Sequence, residues 1–260
     1  MSDSLYNPEF FAGHEAGSLS SARVAAPIIL SLVPAQRVID VGCGTGAWLR
    51  IFAELGVPDI RGVDGPWVQR ERLLIPPDRF TTADVGVPLR AEVGTGFDLA
   101  CCLEVGEHLS ALAAATLVES LTRLAPVIAF SAAIPGQGGT GHINEQWPAY
   151  WAALFAARGF RAIDCLRPRL WNEPAVQWWY AQNLIVFASE EGRARHPALR
   201  DAAARLGDEP PHPLVHPRCF ESRLREPLGM RRMLRDGPGA VGRALAALIG
   251  NGRTANGDAA

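Results

Sequence analysis

At 260 residues, with 48% of them hydrophobic, the chain is long enough for one sizeable α/β domain or for one domain with an appendage. A net charge of −2 excludes a global basic field that would draw nucleic acid or an anionic membrane surface. No apolar run approaches the roughly 20 residues needed to span a bilayer, so no membrane partner is expected.

The N-terminal "MSDSLYNPEF" is polar and acidic, without the layout of a signal peptide, which points to a cytoplasmic chain. From "SLSSARVAAPIILSLV" (18–33), a helix opened by serine, apolar bursts alternate with helical stretches. "RVIDVG" reads as a strand, "GAWLRIFAELG" as a helix, "DIRGVD" as a strand and "PWVQRERL" as a short helix. "RFTTAD" and "FDLACCLE" are the next strands, followed by the helix "SALAAATLVESLTRLA" and the strand "PVIAFSAAI". After the loop "PGQGGTGHINEQ" come the helix "WPAYWAALFAARGF" and the strands "RAIDCLR" and "AQNLIVFAS". Short, near-continuous apolar strands between helices predict an α/β, Rossmann-like, seven-stranded, mostly parallel sheet with helices on both faces. The five cysteines (Cys43, Cys101, Cys102, Cys165, Cys219) form no C-x-x-C. Cys101 and Cys102 are adjacent, so alternation sends them to opposite faces of a strand as buried thiols.

Beyond residue 189 the chain turns polar and proline-rich, then basic with helical spacing. The expected division is an N-terminal cap and helix over 1–35, the sheet domain over 36–189, and a basic helical extension with a disordered end over 190–260. The sheet closes at "NLIVFAS", so the extension is expected to be dispensable for cofactor binding and to act as a lid, a partner surface or a homodimer contact. All 25 basic residues are arginine, as codon bias in a GC-rich bacterial genome would give.

"VIDVGCGTGAWL" (38–49) is the most specific string. An apolar strand runs into Asp40, then Gly42, Gly44 and Gly46, then a helix. Such a turn lets backbone approach a ligand at the carboxyl end of a strand, where open α/β sheets bind ligands. An acid ahead of the first glycine repels a pyrophosphate and suits a cation. With this turn the chain resembles the class I S-adenosylmethionine-dependent methyltransferases, over roughly residues 18–188. The resemblance implies that Asp64, ending "GVD", takes the ribose hydroxyls, that Asp84 in "TTADV" meets the adenine amino group, and that Pro66, Trp67 and Val85 flank adenine. Either acid alone also fits a helix N-cap. "GHEAGSLSSARV" offers His14, Ser20 or Arg23 to the cofactor carboxylate, or simply begins the helix.

"LEVGEH" (103–108) places Glu104, Glu107 and His108 at the end of an apolar strand. If a helix starts at Glu104, all three share one face, an oxygen and nitrogen ligand set for a divalent ion. The alternatives are a capping acid, a solvated helix start and a general base, in that order. E-x-x-E-H here resembles the small-RNA 3′-terminal 2′-O-methyltransferases and the ubiquinone-biosynthesis O-methyltransferases. That resemblance adds a downstream histidine, His142 in "GHINEQW", and implies a metal held by Glu104, Glu107, His108 and His142. Mg²⁺ or Mn²⁺ is the expected ion, with Fe²⁺ or Zn²⁺ as alternatives. Glu107, His108 and His142 are then the catalytic candidates; without metal, His108 or His142 acts as general base. The flanks "GHINEQWPAYWAALFAARGF" and "WWYAQNLIVF" look more like bacterial methyltransferases of glycan and natural-product sugar pathways.

Trp171, Trp178, Trp179 and Tyr180 either stack on a sugar or ring, or cover the sheet; Asn144, Gln146, Asn172 and Glu173 are candidate acceptor contacts. The reading is an S-adenosylmethionine-dependent O-methyltransferase acting on a hydroxyl of a sugar-containing small molecule or glycan. Three alternatives stand beside it: an RNA-terminal 2′-O-methyltransferase, disfavoured by the charge balance, a non-catalytic cofactor-binding scaffold, and the same enzyme with an aromatic or N-methyl acceptor.

Overall fold

The computed structural model describes residues 8–89, 93–207 and 209–225, and the side chains of 8–14 and 225 lie outside that description. Seven strands form one sheet: β1 (Arg37–Val41), β2 (Asp59–Asp64), β3 (Phe80–Thr82), β4 (Leu99–Leu103), β5 (Val127–Ser131), β6 (Arg161–Ile163) and β7 (Ile185–Ala188). Their order is β3-β2-β1-β4-β5-β7-β6. All neighbouring pairs are parallel except those made by β7, which runs antiparallel to β5 and to β6. The chain reverses between β1 and β4, opening a crevice at the carboxyl ends of those two strands.

The helices are α1 (Pro8–Leu32), α2 (Ala47–Glu54), α3 (Ala111–Leu124), α4 (Pro148–Ala156), α5 (Arg167–Leu170), α6 (Trp178–Asn183), α7 (Glu190–Arg195), α8 (Pro197–Leu206) and α9 (Pro217–Arg225). Local chemistry explains their ends. The Ser110 hydroxyl caps α3 by accepting from Ala113 N at 3.3 Å, and Ser189 caps α7 by accepting from Gly192 N at 3.0 Å. Pro148 opens α4, where its missing N–H costs nothing, and Gly159 in the left-handed region follows its end.

Every residue of β4, β5 and β7 is buried, because helices cover both faces of the sheet. One core layer gathers α1, α2, α6 and α8 with Val38, Leu99, Cys101 and Ala129. The other gathers α3 and α4 with Ile39, Ala100, Cys102 and Phe130. Cys101 and Cys102 thus fall in opposite layers, as alternation requires, and both are free thiols, as are Cys43 and Cys165. Among the described residues no helix is long and apolar enough to cross a membrane.

Three expectations change. "PWVQRERL" forms only a single 3₁₀ turn, Arg70–Arg72. In "AQNLIVFAS" the first residues complete α6, and the strand is Ile185–Ala188. The boundary expected at 189/190 falls inside a compact unit, Met1–Cys219; the second unit is Phe220–Ala260. The reason is apolar burial: Leu199, Ala202 and Ala203 of α8 lie in the same core layer as α1 and α2, as do Ala22, Ala25 and Ile29 from the segment expected to be a separate cap. The basic stretch and the end expected to be disordered, 226–260, lie outside the described residues.

Candidate active site

Gly42, Gly44 and Gly46 all take left-handed φ (82°, 55° and 88°), which L side chains rarely adopt. Their surroundings differ. A Cβ on Gly42 would lie 2.3 Å from the Val105 side chain, so that glycine lets the turn after β1 pack on the turn after β4. A Cβ on Gly44 would meet nothing within 4 Å, so that backbone faces open space at the end of the sheet.

Asp40 and Asp64 stand under this turn, both buried. Asp64 Oδ2 accepts from Gly44 N at 2.7 Å and Oδ1 from Gly65 N at 2.6 Å, so the acid of β2 fixes the glycine turn of β1. Burial raises its pKa, against the pull of those two amides and the Trp67 side chain. The Trp67 ring lies against Gly65, where a Cβ would meet it at 2.1 Å. Asp40 has one oxygen, Oδ1, without a hydrogen bond, and burial followed by the neighbouring Asp64 charge pushes its pKa up to about 7.

Asp84 is exposed and accepts from Gly86 N at 2.8 Å, closing a turn of its own, while Val85 is buried in the α3 layer. Of the residues offered to the cofactor carboxylate, Ser20 bonds back to the Gly17 carbonyl, Arg23 is exposed, and the His14 side chain lies outside the described residues. Glu15, which sequence reasoning missed, reaches the glycine turn instead and accepts from the Thr45 hydroxyl at 2.9 Å. It sits one residue after the histidine that drew attention, in a helix with no motif.

The turn after β4 is not the helix start that would align Glu104, Glu107 and His108. Glu104 has φ 55°, the one non-glycine positive φ among the described residues. Gly106–His108 then make a single 3₁₀ turn, and α3 begins only after Ser110. A left-handed glutamate is a costly conformation, about 1–3 kcal/mol, and such outliers gather at functional sites. It turns the carboxylate onto a buried amide set: Asn183 Nδ2 donates at 3.1 and 3.3 Å, and Gln137 Nε2 at 3.1 Å. Gln182 completes the set, donating to Gln137 Oε1 at 2.9 Å and Asn183 Oδ1 at 3.0 Å. The signal for Asn183 and Gln182 was two amides at the mouth of an apolar strand.

Glu107 is fully buried, and neither carboxylate oxygen has a hydrogen bond. Burial, then the Glu104 charge, lifts its pKa well above the carboxylate range. His108 Nδ1 is likewise buried without a partner, and burial, then His142, lowers the His108 pKa to about 4. His142 arrives from the loop after β5, which is tied to the β4 turn where Ile143 N and Asn144 N donate to Glu107 O at 2.9 and 3.0 Å. One ligand atom each of Glu107, His108 and His142 lies within 4.8 Å of the others. Of the four ligands expected, three therefore converge; Glu104 stands outside that group, bound to its amides.

His142 Nδ1 lies 3.0 Å from Glu145 Oε1. Among the aromatics, Trp179 packs on the core, Trp178 is half-buried, and Trp171 lies against His216. Asn144 is buried and accepts from Gln146 Nε2 at 3.0 Å, whereas Asn172 and Glu173 are exposed.

The family model described as a methyltransferase domain matches residues 18–183. No curated protein matches the chain. Among solved structures, a sugar N-methyltransferase from Streptoalloteichus superposes with a TM-score of 0.54 at 19% identity, over 70% of this chain and 91% of the other. An amino pentose methyltransferase from Micromonospora echinaspora, solved with its S-adenosylmethionine bound, gives 0.51 at 20% identity over 70% and 97%. A candidate O-methyltransferase from Nostoc punctiforme gives 0.51 at 14% identity, over 69% of this chain but only 59% of that one, so the chain spans about three-fifths of that relative. At such identities the likeness is one of fold.

Proposed function

The chain belongs to the class I S-adenosylmethionine-dependent methyltransferases, and on that premise we propose that it methylates a hydroxyl of a sugar-containing small molecule or glycan, assisted by a divalent ion. The observation that carries the reading is the convergence of Glu107, His108 and His142 beside the glycine turn.

The residues present fit both groups. Open space over Gly44 and the unpaired Asp40 oxygen suit a cationic ligand, and S-adenosylmethionine supplies its methyl from a sulfonium. The buried Glu107 oxygens and His108 Nδ1, with no well-formed hydrogen bond, together with His142 make an oxygen and nitrogen donor set that fits a divalent cation. When bound, a divalent ion supplies Lewis acidity toward an acceptor hydroxyl. One carboxylate and two imidazoles suit Mn²⁺, Fe²⁺ or Zn²⁺ better than Mg²⁺.

The chain's own residues do the rest. Val105, seated on Gly42, sets the spacing between the cofactor turn and the cluster. The amides of Gln137 and Asn183 hold Glu104 beside Glu107, and its charge favours a cation there. His108, neutral at pH 7, keeps a lone pair for a cation or for the acceptor proton. The two structural neighbours described as sugar methyltransferases are in keeping with a sugar acceptor.

The test is transfer of labelled methyl from S-adenosylmethionine to sugars bearing vicinal diols, with and without chelator. Transfer to oxygen that chelator abolishes and Mn²⁺ restores is expected. Transfer undiminished in excess chelator would return His108 or His142 to the role of general base.

A further inference from the structure

We propose that Glu145 is the positioning residue of the centre, holding His142 in one tautomer so that Nε2 is the nitrogen presented to Glu107 and His108. The inference rests on the reading of those three residues as one centre.

The warrant is the chemistry of the partners. An ionised carboxylate accepts hydrogen bonds and donates none. Glu145 Oε2 already accepts from Gly136 N at 2.8 Å, and Oε1 accepts from Gly138 N at 2.6 Å. Both oxygens are thus already engaged as acceptors of backbone N–H groups. The contact from His142 Nδ1, 3.0 Å from Oε1, must therefore be a donation. A neutral imidazole that donates through Nδ1 keeps its lone pair on Nε2.

The loop is shaped for this arrangement. Gly136 and Gly138 both take left-handed φ, 83° and 68°, which turns their N–H groups toward one acceptor. Gly139 has no side chain where a Cβ would come within 2.4 Å of His142 Nε2 and Cε1, so the ring lies against bare backbone. The third side of the ring is the edge-to-face contact with His108. A carboxylate behind a ligating histidine fixes its orientation and makes it a stronger donor, and loss of such a partner weakens metal binding by about 10–100-fold.

The test uses the full chain labelled with ¹⁵N at histidine, the His142 signal being assigned by its loss in His142→Gln. Wild type should show Nδ1 protonated and Nε2 bare. Glu145→Gln, which keeps size but sets an amide donor against either the glycine N–H groups or Nδ1–H, should lose that single tautomer. Mn²⁺ affinity by calorimetry should fall about 10–100-fold in Glu145→Gln, with S-adenosylmethionine affinity unchanged. A wild-type His142 protonated on Nε2, or an unchanged tautomer in Glu145→Gln, overturns the proposal. So does equal Mn²⁺ affinity in the two proteins, which leaves the metal reading standing. A wild type that binds no Mn²⁺ sinks the metal reading instead, and the tautomer still decides the role of Glu145.

Discussion

The rings of His108 and His142 meet edge to face, with centroids 4.9 Å apart and planes at 87°. They come from separate turns, after β4 and after β5, joined by the two backbone bonds onto Glu107 O. Two neutral imidazoles can sit this way, but two imidazoliums would repel each other, and His142 helps to lower the His108 pKa to about 4.

Cation binding should strengthen as pH rises. His108 is already bare at neutral pH and contributes proton competition only near pH 4. Glu107 holds its proton more tightly than an ordinary carboxyl, because burial and the Glu104 charge raise its pKa, so a cation and that proton compete for it. Mn²⁺ titrations at several pH values should show proton release on binding, and Glu107→Gln should abolish both the binding and its pH slope. A pH-independent affinity would mean that Glu107 is not a ligand.

Asp40 should make the ligand-free protein more stable in mild acid. Its folded pKa, about 7, lies above the ordinary 3.8, so the folded state holds the proton more tightly. That contribution is full below the unfolded pKa and is lost as pH rises through the window from about 4 to about 7. Thermal unfolding of Asp40→Asn should lack this slope, and Asp64→Asn should narrow the window by removing the second cause of the shift. S-adenosylmethionine binding near pH 7 should release protons, read as a dependence of the binding heat on the buffer.

Much of this was legible. Near-continuous apolar strands gave the sheet, and the acid-glycine motif gave the left-handed turn after β1, because both depend on local pattern. The placement of Glu104 was not legible. Spacing alone makes 104, 107 and 108 one helix face, and the left-handed φ at Glu104 and the 3₁₀ turn after it break that face. The amides that hold its carboxylate, Gln137 and Asn183, are far away in sequence. Glu145 stood three residues from His142, yet nothing local showed that two glycine N–H groups hold it in place.

Substitutions at two neighbouring glycines should separate structure from binding. Gly42→Ala places its Cβ 2.3 Å from Val105 and keeps a strained φ, so about 2–4 kcal/mol of stability should be lost. Gly44→Ala meets nothing within 4 Å and should cost only about 1 kcal/mol for its backbone. It should nevertheless reduce S-adenosylmethionine affinity, because the new methyl occupies the space a ligand would approach through. Unchanged affinity in a folded Gly44→Ala protein would remove this turn from the cofactor site.

A chain ending at residue 190 should be strongly destabilised, whereas one ending at 219 should keep the fold. Removing α8 uncovers the core layer where Leu199, Ala202 and Ala203 are buried. The loss also removes one hydrogen bond each from Arg161, which donates to Ala203 O at 2.9 Å, and from the buried Arg167, which donates to His212 O at 3.0 Å but keeps its pair with Asp164. His216 N, 2.8 Å from Gln182 Oε1, ties the same segment to the amides that hold Glu104. Lost burial and lost hydrogen bonds together should cost about 3–6 kcal/mol, a large share of the roughly 5–15 kcal/mol that stabilises a typical domain. The amides that clamp Glu104 would lose the support of His216 behind Gln182, so residual folded protein should bind Mn²⁺ more weakly than the chain ending at 219. Equal melting temperatures for the two chains would place the boundary back at 189.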